Sequence, residues 1–346
     1  MWSVGLDFHQ RSSMICILDE HGKGVKTMPV NGGWPAVVTV LKGLDHPFAV
    51  CYEASCGYGH LYDQLKRVAK RVVVAHPGQL RLIFRSKKKN DRVDAKKLAM
   101  LLLLDQVPVV HVPSIEVRSW RSLIEFRHQL VAKRTRVKNA LRSLMRGHGV
   151  LLPAGKRLWT RKGLALLRGA ELDTHAANVQ RDLLLEELEY LEKQVHRVTR
   201  ELDALGRNHP GVCLLRTIPG VGPRTAEAMA AYIDEARRFR RNKCVGSYFG
   251  LVPSQDASGP VNRLGHITRE GPAVPRKLLT EAAWQGIRRS PRIRAFFERV
   301  LQKDPDRKKI ALVATAHYLA RVMLAMLRTG EAWRDEVPTA QEVALG

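Results

Sequence analysis

Residues 48–53 read FAVCYE, five apolar residues followed by a carboxylate. A short unbroken apolar run, without alternation, is the pattern of a strand buried on both faces of a sheet. Arg71–Ala75 (RVVVA) has the same character. Upstream, Trp2–Phe8 and Ser13–Leu18 are apolar runs joined by a polar turn, and Asp19-Glu20-His21-Gly22 closes the second with hairpin chemistry. Val25–Val30 supplies a third strand. Tyr58–Val68 and Asp91–Leu104 carry helical spacing. Three strands, then strand, helix, strand and helix, predict a mixed α/β domain over residues 1–110.

The whole chain has 346 residues, with 58 Lys+Arg against 33 Asp+Glu and a net charge of +25. That excess points to a polyanion, nucleic acid before an anionic membrane, and away from a small neutral substrate. It is unevenly spread: residues 111–170 hold 14 basic and 2 acidic side chains, whereas 171–210 hold 5 and 9. Five scattered cysteines (Cys16, Cys51, Cys56, Cys213, Cys244) form no Cys-x-x-Cys pair, so neither a zinc ribbon nor a disulfide framework is signalled. The N-terminus lacks the parts of a signal peptide. The longest apolar stretch, Ile310 to Leu327, is interrupted by His317 and Arg321 and reads as a buried helix rather than a membrane span. A cytoplasmic protein without a membrane partner is the expectation.

Residues 114–150 form a long basic helix pattern with Arg118, Arg121, Arg127, Lys133, Arg134, Arg136, Lys138, Arg142 and Arg146. Leu184, Leu188, Leu191, Val195, Val198, Leu202 and Leu205 then alternate steps of four and three, a heptad seam. Facing another chain, that seam would build a homo-oligomer, a dimer or tetramer. Facing its own chain, it is an ordinary amphipathic helix. Residues 111–210 thus form a basic helix and coiled-coil region, and 211–346 a mainly helical C-terminal domain.

Four carboxylates draw chemical interest. Asp7 ends the first strand, Glu53 follows the FAVCY run, and Asp91 and Asp94 share one face at the start of a helix. Acids directly after buried strands lie where α/β domains bind ligands, and four of them suit Mg²⁺ in phosphoryl transfer. An aspartate at a helix start also serves as a cap, and an acid after a strand is often a solvated loop residue. Ile218-Pro219-Gly220-Val221-Gly222 before a helix resembles a helix-hairpin-helix element, whose backbone N–H groups would take a phosphate; packed helices use the same turn. Between Gly250 and Pro275 lies a Gly/Pro/Ser-rich loop. Within it Ser258, followed by Gly259, could be an exposed nucleophile with its phosphate held by Arg263 and Arg269, or a serine in a surface turn.

Asp7 in VGLDFH, Glu53 in CYEASCGYG, Asp91 and Asp94 in KNDRVDA (Lys89–Ala95), IPGVGPRTA, and GLVPSQDASG with RLGHITREG stand together in this order. The combination resembles the DEDD insertion-sequence transposases, a group with the Piv-type DNA invertases and bridge-RNA-guided serine recombinases. The resemblance covers nearly the whole chain. It implies a RuvC-like (ribonuclease-H-like) α/β N-terminal domain, a central helical coiled coil, and a mainly α C-terminal transposase domain with the helix-hairpin-helix-like element. It places Asp7, Glu53, Asp91 and Asp94 on the Mg²⁺-binding positions, with Mn²⁺ a possible substitute, and Ser258 on the serine nucleophile. Ala257 stands where a second hydroxyl residue is frequent, and Pro260-Val261 replaces a more polar stretch, which leaves Ser254 as a weaker alternative.

The activity so implied is Mg²⁺-dependent DNA strand cleavage and exchange through a phosphoserine, guided by a noncoding RNA that pairs with donor and target DNA. Arg118, Arg121, Arg127, Arg134, Arg136, Lys138 and Arg142 would contact nucleic-acid phosphates, with Gly220, Gly222, Arg263 and Arg269. The serine lies far along the chain from Asp94, so the site would be assembled between domains, or between protomers. Two rival readings are a RuvC-like junction endonuclease using metal-activated water, and a non-catalytic RNA-binding scaffold.

Overall fold

A computed structural model describes residues 1–55, 57–83, 90–258 and 261–335. The chain divides into two compact units, Met1–Arg118 and Ser119–Gly346. In the first, β1 (Trp2–Phe8), β2 (Ser12–Leu18) and β3 (Gly24–Asn31) form an antiparallel meander. Helix α1 (Trp34–Lys42), β4 (Phe48–Glu53), α2 (Tyr58–Leu65), β5 (Arg71–Ala75), α3 (Pro77–Ile83) and α4 (Asp91–Leu103) follow. The five-stranded sheet has the order β3-β2-β1-β4-β5, with β1, β4 and β5 parallel.

The apolar runs behave as the sequence predicts. Val50 and Tyr52 of β4 pack on one face with Val4, Leu6, Leu41, Leu61 and Leu65, under α1 and α2. Ala49 and Cys51 face the other way, toward Leu98 and Leu102 of α4. Asp19 shapes the β2–β3 turn, accepting from the His21 and Lys23 backbone N–H groups at 2.9 and 2.8 Å. Strand β3 is largely exposed and carries Pro29, as an edge strand can.

One glycine sets how closely α4 approaches. A Cβ on Gly5 of β1 would fall 2.5 Å from the Ala99 amide nitrogen and closer still to the Ala95 carbonyl oxygen. Backbone thus lies directly on backbone, and the start of α4 is held against the end of β1.

The second unit is helical. Helix α5 (Ile115–Gly147) is followed by α6 (Arg161–Gly169), and α7 (His175–Arg207) runs antiparallel to α5. Two lateral contacts fix that pairing: Arg127 Nε donates to Thr199 Oγ1 at 2.8 Å, and Lys138 pairs with Glu192 at 3.0 Å. The heptad seam of α7 is therefore covered from within. Leu188, Leu191, Val195, Val198 and Leu202 share a core with Leu130, Val137, Leu141 and Met145 of α5, while Leu205 is exposed. This corrects the expectation of an intermolecular coiled-coil seam: the heptad period is present, but its partner is the chain's own helix.

Helices α8 (Pro210–Leu215), α9 (Pro223–Ile233) and α10 (Cys244–Tyr248) lead to β6 (Pro253–Ser258) and β7 (Val261–Ile267), then α11 (Ala273–Arg289), α12 (Pro291–Leu301) and α13 (Lys308–Thr329). Helix α13 is long and apolar enough to cross a membrane by composition. It buries Thr315, Ala316, Leu319, Ala320, Met323 and Leu324 in this unit. The Gly/Pro/Ser-rich segment read as a loop holds a two-stranded antiparallel ribbon instead. Its described side chains are mostly exposed, Leu264 by 66%, so neither face carries the alternation that announces a strand.

Glu227 of α9 is 1% exposed. Arg224 Nη2 donates to its Oε1 at 2.8 Å and also binds Asp203, while Oε2 has no partner among the described residues. Burial pushes this carboxyl from 4.5 up to about 7, against the opposing pull of Arg224. The folded chain holds the proton more tightly than the unfolded one. The stability this group contributes is therefore greatest below the unfolded value and is lost as pH rises to about 7. Glu227→Gln should remove that decline, so its thermal midpoint should gain on the wild type between about pH 5 and pH 8. Parallel midpoints across that range would contradict the assignment.

Candidate metal site and serine ribbon

The parallel pairing of β1 with β4 sets Leu6 opposite Tyr52, so Asp7 and Glu53 stand at the same level on adjacent strand ends. Strand alternation puts Asp7 on the face of Gly5 and Glu53 on that of Cys51, and both faces look toward α4. Gly5 keeps α4 close, and Asp91 opens that helix. Ligand atoms of Asp7, His9 and Asp91 all lie within 4.8 Å of one another. His9 Nε2 is 3.5 Å from Asp7 Oδ1, and its backbone N–H donates to Ser13 Oγ at 3.3 Å.

The capping alternative for Asp91 does not hold. Asn90 is the N-cap of α4, its side chain accepting from the Arg92 N–H at 3.0 Å. Asp91 and Asp94 sit in the first turn, where negative charge also complements the helix dipole. Asp94 turns aside to Lys97 at 3.4 Å. The structure thus brings together two of the four sequence-selected acids, Asp7 and Asp91. It sets Glu53 at the neighbouring strand end and leaves Asp94 on its ion pair.

His9 was missed in the sequence. The available signal was the Asp-x-His spacing, since residues i and i+2 of an extended strand share a face. Two carboxylates with an imidazole fit a divalent ion. Ligand atoms all within 4.8 Å of one another can be shared by one ion that takes oxygen ligands. Carboxylate donors favour Mg²⁺ or Mn²⁺, and the imidazole is more readily accepted by the latter.

Ser258 ends β6, its Cα paired with that of Val261 where the ribbon closes. Asp256, two residues earlier and of the same strand parity, pairs with Arg263. Ser254 stands beside Gly265 within the ribbon. At the base, Arg276 Nη1 donates to the carbonyls of Phe249 and Glu270 at 2.9 and 3.1 Å, and the Arg269 N–H to that of Gly250. Cys56, Lys89 and Gly259 of the sequence motifs lie outside the described residues, as does the Ser258 side chain.

A DEDD transposase family model of the IS110 type matches residues 4–149, and the model described as the IS116/IS110/IS902 transposase family matches 212–298. The chain is 28% identical over 296 residues to a probable family 20 transposase of Pseudomonas aeruginosa, covering 83% of this chain and 86% of that one. It is 27% identical over 341 residues to the transposase for insertion sequence element IS1111A of Coxiella burnetii, covering 96% and 91%. The chain belongs to the DEDD-type insertion-sequence transposases. Its activity is therefore on DNA.

In this transposase most arginines of the basic helix are committed to its own fold. Arg118 binds Asp63 and the Pro113 carbonyl. Arg121 caps the end of α9, donating to the Ala231 and Tyr232 carbonyls at 2.8 and 3.3 Å and lying over the Tyr232 ring. Arg127 holds Thr199, Lys138 holds Glu192, and Arg142 donates to the Gly155 carbonyl at 2.7 Å beside the Trp159 ring. Arg134 is half-buried, and Lys133, Arg136 and Arg146 are exposed. The expected phosphate-binding row thus contains many cations already engaged with their own chain.

The glycine turn also has a packing role. Gly220 has φ +93°, and a Cβ there would fall 2.5 Å from the Gly286 amide nitrogen of α11. Gly222, the N-cap of α9, faces open space. Arg263 and Arg269 are both exposed.

Proposed function

We propose that this transposase cuts and rejoins DNA through a phosphoserine at Ser258, with a divalent ion held by Asp7 and Asp91, and with Glu53, Asp94 and His9 completing or flanking that set. The observation that carries the reading is the gathering of Asp7 and Asp91 at the end of β1 by an α4 laid directly on the sheet. The sheet order, with carboxylates at adjacent parallel strand ends, supports a RuvC-like, ribonuclease-H-like fold for the first unit.

When bound, Mg²⁺ or Mn²⁺ supplies charge neutralisation at the scissile phosphate. The carboxylates of Asp7 and Asp91 hold that ion. The Ser258 hydroxyl attacks phosphorus, losing its proton. A phosphoserine ester forms, the bond to one deoxyribose oxygen breaks, and that oxygen takes up a proton. The phosphodiester energy is kept in the ester, so a second hydroxyl can later displace the serine and reseal the strand. Arg263 and Arg269, on the same ribbon, would balance the charge of the phosphate.

A noncoding guide RNA pairing with donor and target DNA fits the +25 charge, and a cytoplasmic homo-oligomer is the working form we propose. The coiled-coil seam no longer supports the oligomer. Chelation is the direct test: cleavage of DNA carrying the element's ends should vanish in EDTA and return with excess Mg²⁺ or Mn²⁺. Full cleavage in chelator would overturn the metal role, and the RNA copurifying with the protein, once sequenced, should contain segments complementary to DNA.

A further inference from the structure

Residues 235–243 read EARRFRRNK, five cations in nine residues between α9 and α10. This segment is held in place by two half-buried arginines. Arg328 of α13 donates to the Ala236 carbonyl at 3.2 Å, to Asn242 Oδ1 at 2.6 Å and to the Phe239 carbonyl. Arg238 donates to the Ile233 and Tyr232 carbonyls at 3.0 and 3.1 Å and lies over the Tyr248 ring, 4.6 Å from its centroid. Phe239 is buried and meets Tyr248 edge-on.

The remaining cations, Arg237, Arg240, Arg241 and Lys243, are exposed, and none of their side chains has a hydrogen-bond or ion-pair partner among the described residues. They contrast with the arginines of α5, which are largely tied to their own chain. Asp234 precedes the segment and Glu235 opens it, and the segment stays net positive.

We propose that this loop is a preformed binding site for the sugar-phosphate backbone of the DNA on which the serine ribbon acts. Tyr248 carries the connection: it stacks under Arg238, and Gly271, just before α11, lies against its carbonyl at the base of the ribbon. From Pro253 to Ser258 strand β6 makes five steps, so at ~3.3 Å per step Ser258 stands about 17 Å out, the length of roughly five nucleotides along one strand of a duplex. The loop would grip the same duplex a short distance from the scissile phosphate. DNA is favoured over RNA because Tyr248 ties the loop to the base of the ribbon that carries Ser258. The inference therefore rests on the proposed serine chemistry for its choice of strand.

The test is binding of the full chain to a short duplex DNA of arbitrary sequence, without divalent ions, across a range of salt. Replacing Arg237, Arg240, Arg241 and Lys243 together by glutamine should lower the slope of log affinity against log salt by about 3 to 4, near 0.9 per phosphate contact. The arginine-to-lysine version of the three arginines should keep the slope, and both variants should keep the thermal midpoint. An unchanged slope on DNA overturns the proposal, as does a slope lost on a stem-loop RNA but kept on DNA. The cleavage products of Ser258→Ala report a failure of the serine chemistry separately from this salt slope.

Discussion

Replacing Gly5 with valine should unfold the first unit. The obstacle is backbone: the new side chain would enter the space of the Ala95 carbonyl and the Ala99 amide, neither of which can swing aside as a side-chain tip can. Overpacking a core usually costs about 1–3 kcal/mol, and a collision with a helix backbone belongs at or above that upper end. Against a total stability of about 5–15 kcal/mol, such a loss is large. The expected result is a strongly lowered thermal midpoint and rapid proteolysis within residues 1–118. Gly5→Ala should show a weaker form of the same defect, with α4 pushed off β1 and Asp91 carried away from Asp7. A valine variant that melts like the wild type would mean that α4 does not lie on β1 as described.

The second large effect is catalytic. Asp7→Asn keeps the shape of the side chain but removes a negative charge from the group formed with His9 and Asp91. A metal's stabilisation of a phosphoryl transition state is worth several kcal/mol, so strand cleavage should fall by about 10³-fold or more. The protein should remain folded and keep its salt-dependent DNA affinity. His9→Ala should have a smaller effect, and it should weaken Mn²⁺-supported cleavage more than Mg²⁺-supported cleavage. Equal cleavage by Asp7→Asn and wild type would favour a scaffold role for the first unit.

Much of the first unit was legible because its strands are apolar runs with nothing periodic to confuse them. Trp2–Phe8 and Arg71–Ala75 appear in the structure with the bounds read from sequence. Helix α1 was not, since Val37-Val38-Thr39-Val40 is a β-branched run and hides the helical period. The heptads of α7 were legible as a period. A period says that a helix faces another helix, not which chain supplies it, and here α5 does. The ribbon β6–β7 escaped because the alternation that marks a strand comes from burying one face, and this ribbon buries little. The basic helix shows a similar limit: composition counts arginines, but only the fold shows that Arg121 and Arg127 are already bound within the chain. The carboxylates Asp7 and Asp91 were found by their places at a strand end and a helix start, whereas His9, one residue past β1, needed the two-residue step from Asp7 to be seen beside them.

The account turns on Ser258. Wild-type protein incubated with Mg²⁺ and DNA carrying the element's ends, then denatured and digested, should yield a peptide bearing a nucleotide on Ser258. That species should be absent from Ser258→Ala and from Asp7→Asn, and present in Ser254→Ala. A normal yield of covalent adduct from Ser258→Ala, or strand cleavage by the wild type with no adduct at any time point, would contradict the phosphoserine mechanism.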